Sequence, residues 1–305
     1  MTAQMLATRA FDPEFLQHLD ALALGTKRAR TVRAGRRSVG RVLGSGIEPE
    51  NFREYSAGDD LRFLDWNAFA RLDDLTVRTY RAERQIELTI IIDTSASMGV
   101  PQSDDKLGLA AVLGAALAYI GMGENDSVRL AAFSGGRRGP RLQTTRFYQR
   151  RESFFAFRPF VTGLKCEGDT RLSAAVAEFL RAPHHAGIVI LLSDFLVSPM
   201  DSENALAQLV AARHEVKAIH VMGDRECAAS YPPGAYRVRD CETGELREVT
   251  FGAHESELCR RRVEQHAERL SSFCARHGIV YSRAFGVSNL DAIISREFPR
   301  LGVIA

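Results

Sequence analysis

Residues 85–99 read QIELTIIIDTSASMG. Inside them residues 88–92, LTIII, form an apolar run rich in β-branched side chains, which stops at Asp93. Ser95 and Ser97 follow, alternating with small residues. A strand covered on both faces of a parallel sheet shows this unbroken pattern, because neither face meets water. Open parallel sheets bind ligands just beyond the carboxyl ends of their strands. A carboxylate and two hydroxyls therefore stand where ligand chemistry is expected, and all three are hard oxygen donors of the kind Mg²⁺ prefers.

The same grammar recurs downstream. Residues 187–192, GIVILL, make a second apolar run that ends in Ser193 and Asp194. Further strands are expected at 128–133, 215–222 and 279–285, with an edge strand near 142–147. Helical spacing is read at 106–120, 171–180, 202–213 and 255–277, and a hairpin is expected to turn at Thr243-Gly244. Strand and helix alternate, which favours an α/β fold: a doubly wound, mostly parallel sheet flanked by helices. The division expected is an N-terminal extension over residues 1–85 and the α/β domain over 86–305. A short helix is read over residues 12–24, with Asp12 as cap, Pro13 in the first turn, and Phe15, Leu16, Leu19, Leu22 and Leu24 on one face.

Totals narrow the function. The chain has 305 residues, 45% hydrophobic and 26% charged, with a formal net charge of +2. That suits an ordinary globular protein and gives no general attraction to nucleic acid. The basic stretch at 27–41 lacks interleaved aromatics for base stacking, so it is read as a connector. Five cysteines, with no C-x-x-C pair, argue against a disulfide framework or a zinc site and for a reducing compartment. No apolar stretch approaches the roughly 18–20 residues of a membrane span, and the first residues lack a signal-peptide core. The expectation is a soluble cytoplasmic protein without direct membrane insertion.

Three strand-to-loop junctions hold oxygen ligands: Asp93, Ser95 and Ser97; then Thr170, in the turn EGDT at 167–170; then Asp194. Adjacent strands lie about 4.8 Å apart, so these five side chains can surround one ion. Mg²⁺ takes octahedral oxygen coordination and keeps several waters; Mn²⁺ accepts the same set. Hydroxyl ligands leave such a cation electrophilic, open to a partner's carboxylate. Thr170 by itself equally reads as a helix N-cap. A competing reading makes Asp93 the nucleophile of a Mg²⁺-dependent phosphatase or phosphotransferase. Against it, Ser95 stands where a second acid is common, and no catalytic lysine is evident. No Walker-type phosphate loop is present, so ATP hydrolysis would belong to a partner.

The order Asp93, Ser95, Ser97, Thr170, Asp194 resembles the metal-ion-dependent adhesion site of von Willebrand factor A-like domains. Upstream, residues 53–84, REYSAGDDLRFLDWNAFARLDDLTVRTYRAER, followed by IIDTSASM and later DCETGE, resemble the domain-of-unknown-function 58 family. That resemblance implies a bacterial or archaeal protein paired with a MoxR-type AAA+ ATPase. It also implies a non-catalytic adaptor that helps mature or assemble a client protein. The charged segment at 51–81, which includes GDDLRFLDW, is read as a charge-paired brace rather than a catalytic cluster.

Overall fold

A computed structural model of the chain describes residues 3–20, 22, 31–33, 49–56, 61, 64–72, 74–83, 86–123, 126–135, 139–169, 171–183, 185–229, 231–286 and 289–304. Two compact units result: Met1–Lys27 together with Ile86–Ala305, and Arg28–Gln85. The first 27 residues thus belong with the main body, whereas the sequence groups 1–85 as one extension.

The main body opens with helices α1 (Ala3–Arg9) and α2 (Pro13–Leu19). The smaller unit contains strands β1 (Thr31–Arg33) and β2 (Pro49–Glu54), helix α3 (Trp66–Leu72) and strand β3 (Thr76–Glu83). Its strands form an antiparallel sheet in the order β1-β3-β2. Asp65 caps α3, its carboxylate accepting from the backbone N–H groups of Asn67 (3.0 Å) and Ala68 (3.3 Å). The cap puts Trp66 on the first turn with its indole outward, 60% exposed. The segment read as a brace thus turns its tryptophan to solvent. Residues 57–60, 62, 63 and 73 of that segment, and 27–30 and 34–41 of the basic stretch, lie outside the described residues.

The main body continues through strand β4 (Glu87–Asp93), helix α4 (Lys106–Gly123), and strands β5 (Ser127–Ser134) and β6 (Arg141–Thr144). A 3₁₀ segment (Arg151–Phe157) leads into helix α5 (Arg158–Thr162). Then come α6 (Leu172–Arg181), β7 (Ile188–Ser193), α7 (Pro199–Ala211), β8 (Glu215–Met222) and α8 (Asp224–Ala228). The hairpin β9 (Gly234–Arg239) and β10 (Leu246–Phe251), helix α9 (Ala253–Arg276) and strand β11 (Val280–Phe285) precede a final helical stretch. The hairpin turns at Gly244, whose φ of +75° is the left-handed conformation such a turn needs.

The six-stranded sheet has the order β11-β8-β7-β4-β5-β6. All neighbours are parallel except the edge strand β6, which runs antiparallel to β5. An α/β domain with a mixed, mostly parallel sheet flanked by helices is therefore what the sequence builds. Chain order reverses direction between β4 and β7, the kind of switch point where open sheets hold ligands.

Alternation along β4 sends side chains to two cores. Leu88, Ile90 and Ile92 join α1, α2 and α4 on one face. Ile91 joins Leu172 and Phe179 of α6 and Leu206 and Leu209 of α7 on the other. Helix α4 is apolar around its whole circumference, which requires cover on every side. The sheet covers its inner side; Leu6, Phe11, Phe15 and Phe154 lie in the same core. This helix also corrects one expectation. Its 18 residues have the length and composition of a membrane span, although almost all of that window is buried inside the fold. Alanine and glycine supply much of the apolar character, so a search for unbroken Leu/Ile/Val runs passes over it. All five cysteines are free thiols.

Candidate functional site

The carboxyl ends of β4 and β7 meet at the switch point. The register pairs Ile92 with Leu192, so Asp93 and Ser193 come next and face each other. Ser193 Oγ donates to Asp93 Oδ2 at 2.6 Å, and the Ser95 backbone N–H donates to Asp93 Oδ1 at 2.9 Å. Ser95 and Ser97 place their Oγ atoms 3.0 Å apart. Asp93, Ser95 and Asp194 are wholly buried, and Ser97 nearly so. Four of the five residues singled out by sequence, Asp93, Ser95, Ser97 and Asp194, are thus positioned at one rim of the sheet.

Thr170 lies outside the described residues. Its neighbours do run beside the Asp93–Ser97 loop: Glu167 N–H donates to the Thr94 carbonyl at 2.9 Å, and Ala96 N–H donates to the Gly168 carbonyl at 2.9 Å. The N-cap position of α6 is held by Arg171, one residue later than the sequence suggests. Gly168 has φ +74°, and a Cβ there would strike the Gly135 carbonyl. Gly168→Ala is therefore expected to cost more than about 1–2 kcal/mol in a urea melt, from left-handed strain plus collision. Unchanged stability would show that the two loops can separate freely.

Burial and the facing carboxylate of Asp194 push the Asp93 carboxyl up from 3.8 to about 7, against the hydrogen bonds from Ser193 and Ser95 that favour its charged form. Burial and a neighbouring carboxylate both disfavour the charged form of Asp93 at this rim. Paired with Ser193 on the adjacent strand β8, His220 is fully buried and hydrogen-bonded through Nδ1 to the Tyr281 hydroxyl at 2.8 Å. Burial, with lesser help from His266 and Arg283, drives its pKa down to about 3, so it stays neutral. Cys166 stands against Gly99, where an added Cβ would meet its Sγ at 3.2 Å, and burial pushes its thiol up to about 12. Among the described residues no three His, Cys, Asp or Glu side chains converge as a metal-ligand set; the cluster at this rim combines hydroxyls with carboxylates.

One residue at the rim escapes the sequence reading. Lys106 Nζ donates to Asp194 Oδ2 at 2.9 Å and to Glu226 Oε1 at 2.6 Å, with the lysine and Asp194 side chains completely buried. Burial alone would lower the pKa of this ammonium, but Asp194 and Glu226 outweigh it and hold the pKa above the usual lysine value. A signal did exist. Lys106 is the sole charged residue of α4 and sits at its first position, where the helix dipole disfavours a cation. A lysine kept there requires carboxylates elsewhere in the chain.

Fold and site together define an α/β domain with a hydroxyl–carboxylate cluster at the switch point of its sheet. The chain belongs to the family described as "Protein of unknown function DUF58", which it matches over residues 51–272. It is 30% identical over 243 residues to an uncharacterized protein of Mycobacterium tuberculosis, a match spanning 79% of this chain and 75% of that protein. Among solved structures it is similar to an aerotolerance-related membrane protein from Bacteroides fragilis. The identity there is 14%, with 70% of this chain and 99% of that one covered at a TM-score of 0.37. It is also similar to an uncharacterized membrane spanning protein from Vibrio fischeri, with 19% identity, 69% and 95% coverage and a TM-score of 0.20. The expectation of a purely cytoplasmic protein is corrected on α4 itself, which has the length and composition of a membrane span.

Proposed function

We propose that the domain is a von Willebrand factor A-like, non-catalytic adaptor that captures a partner's acidic residue through a bound divalent cation. The observation that carries this reading is the Ser95–Ser97 hydroxyl pair beside two buried carboxylates at the β4/β7 crevice. Adjacent vertices of an octahedron with bonds of 2.0–2.1 Å are separated by about 2.9 Å. The two Oγ atoms, 3.0 Å apart, match that spacing. The crowding of Asp93 against Asp194 supplies the charge that such a cation would balance. Ser95 and Ser97 would ligate Mg²⁺ (or Mn²⁺) directly, with Thr170 as a third hydroxyl; Asp93 and Asp194 would hold its waters. When bound, the cation supplies an electrophilic vertex for a carboxylate oxygen.

The phosphotransfer alternative fits less well. Both Asp93 oxygens already accept hydrogen bonds, Asp194 is tied to Lys106, and the neighbouring His220 is buried and neutral. The partners proposed are a MoxR-type AAA+ ATPase and the client protein it helps to mature or assemble; nucleic acid is not one of them. The test is capture of the cognate ATPase by this protein in Mg²⁺, in chelator, and with Asp93→Ala. Capture should fall at least tenfold in chelator and in the variant, matching loss of a contact worth about 1.4 kcal/mol or more. Equal capture in all three would refute the adaptor reading, and turnover of a phosphoester would revive the alternative.

A further inference from the structure

Helix α4 begins at a fixed point. Asp105 Oδ1 accepts from the Gly108 backbone N–H at 3.1 Å, the hydrogen bond of an N-cap. This sets Lys106 at the first helical position, from which its ammonium bridges two carboxylates on different elements. Asp194 follows β7, and Glu226 lies in α8. Next to this bridge, Asp104 Oδ2 accepts from the backbone N–H of Arg225 at 2.8 Å and of Glu226 at 3.4 Å. The start of α4 therefore grips α8 twice, once through Asp104 and once through Lys106. Asp104 and Lys106 are themselves buried.

We propose that Lys106 is a resident counter-cation that competes with the divalent ion for Asp194, and that Glu226 sets how strongly it competes. This rests on the cation site proposed above and assigns the residues that regulate it. Without the ion, the ammonium compensates Asp194 and keeps the carboxylate in place. When cation charge enters beside Asp93 and Asp194, repulsion moves the ammonium toward Glu226. Affinity at the rim is thereby tied to the position of α8. Lys106 touches neither the ion nor the partner; it is a positioning residue.

The experiment is titration of the full-length protein with Mg²⁺ alone by calorimetry, with thermal melts in chelator. The proteins compared are the parent, Lys106→Met, Glu226→Gln and the double variant. Lys106→Met should bind Mg²⁺ about tenfold tighter, the scale of one nearby like charge removed. Its metal-free form should melt lower, and Mg²⁺ should restore it. Glu226→Gln should bind several-fold weaker, because the ammonium then settles wholly on Asp194. In the Lys106→Met background the Glu226→Gln change should have little further effect, since its route to the site is gone. A merely structural or long-range electrostatic role predicts additive effects instead. Additivity, or equal or weaker binding by Lys106→Met, overturns the inference while leaving the cation site intact. If Lys106→Met fails to fold, Glu226→Gln binding as tightly as the parent overturns it. A parent that binds no Mg²⁺ fails the site reading itself and takes this inference with it.

Discussion

A chain lacking residues 1–19 is expected not to hold the α/β body folded. Helices α1 and α2 and the turn between them bury Leu6, Phe11, Phe15, Leu16 and Leu19 in the core that contains α4. Each large apolar side chain is worth roughly 1.5–3 kcal/mol when buried, so together they contribute on the order of 10 kcal/mol. That is as large as the whole stability of a typical domain, about 5–15 kcal/mol. Their removal would also bare one side of a helix with almost no polar residues, and exposed patches of that kind drive aggregation or capture by detergent. Circular dichroism melts and size exclusion, with and without detergent micelles, read both effects. A gentler variant isolates the contact. Phe11 packs against Phe154 with ring centroids 5.0 Å apart, and Phe11→Ala should cost about 3–5 kcal/mol while leaving the fold in place. Cooperative melting of the truncated chain within a few degrees of the parent would show that α4 does not need this cover.

This dependence was only half legible in the sequence. The strands β4 and β7 announce themselves because a strand buried on both faces leaves a local, unbroken apolar run, and the polar residues that end it mark the sheet's rim. Asp93, Ser95, Ser97 and Asp194 were therefore readable one loop at a time. What covers α4 was not, since cover is a relation between segments far apart in the chain. The helix's uniform apolarity said that both sides must be buried, without saying by what. Lys106 posed the same difficulty in charge rather than area. A lone cation at a helix start is an anomaly in sequence, but its partners lie 88 and 120 residues away.

Asp93→Asn is expected to stabilise the metal-free protein at pH 8 and to abolish the divalent-cation binding proposed for it. The folded protein, by burial first and Asp194 second, raises this carboxyl from 3.8 to about 7. Between those values the folded state keeps a proton that the unfolded chain releases. Stability of the metal-free protein must then fall as pH rises through that window, and level off above it. The displacement corresponds to roughly 4 kcal/mol. Asparagine keeps the shape and removes the charge. Its Oδ1 can accept from the Ser95 N–H, and its amide can donate to Ser193 Oγ, because a hydroxyl turns to accept. In chelator the variant should therefore melt well above the parent at pH 8, with the gap closing toward pH 4. Mg²⁺ should raise only the parent, by balancing the same charge that deprotonation exposes, and should flatten its pH dependence. Thermal melts at the two pH values with and without Mg²⁺, beside calorimetric titration, measure all of this. An Asn variant less stable than the parent at pH 8 in chelator would mean that Asp93 is kept for its hydrogen bonds alone. The opposite result would mark it as a carboxylate retained against folding stability, which is how a binding site reveals itself in an otherwise well-matched core.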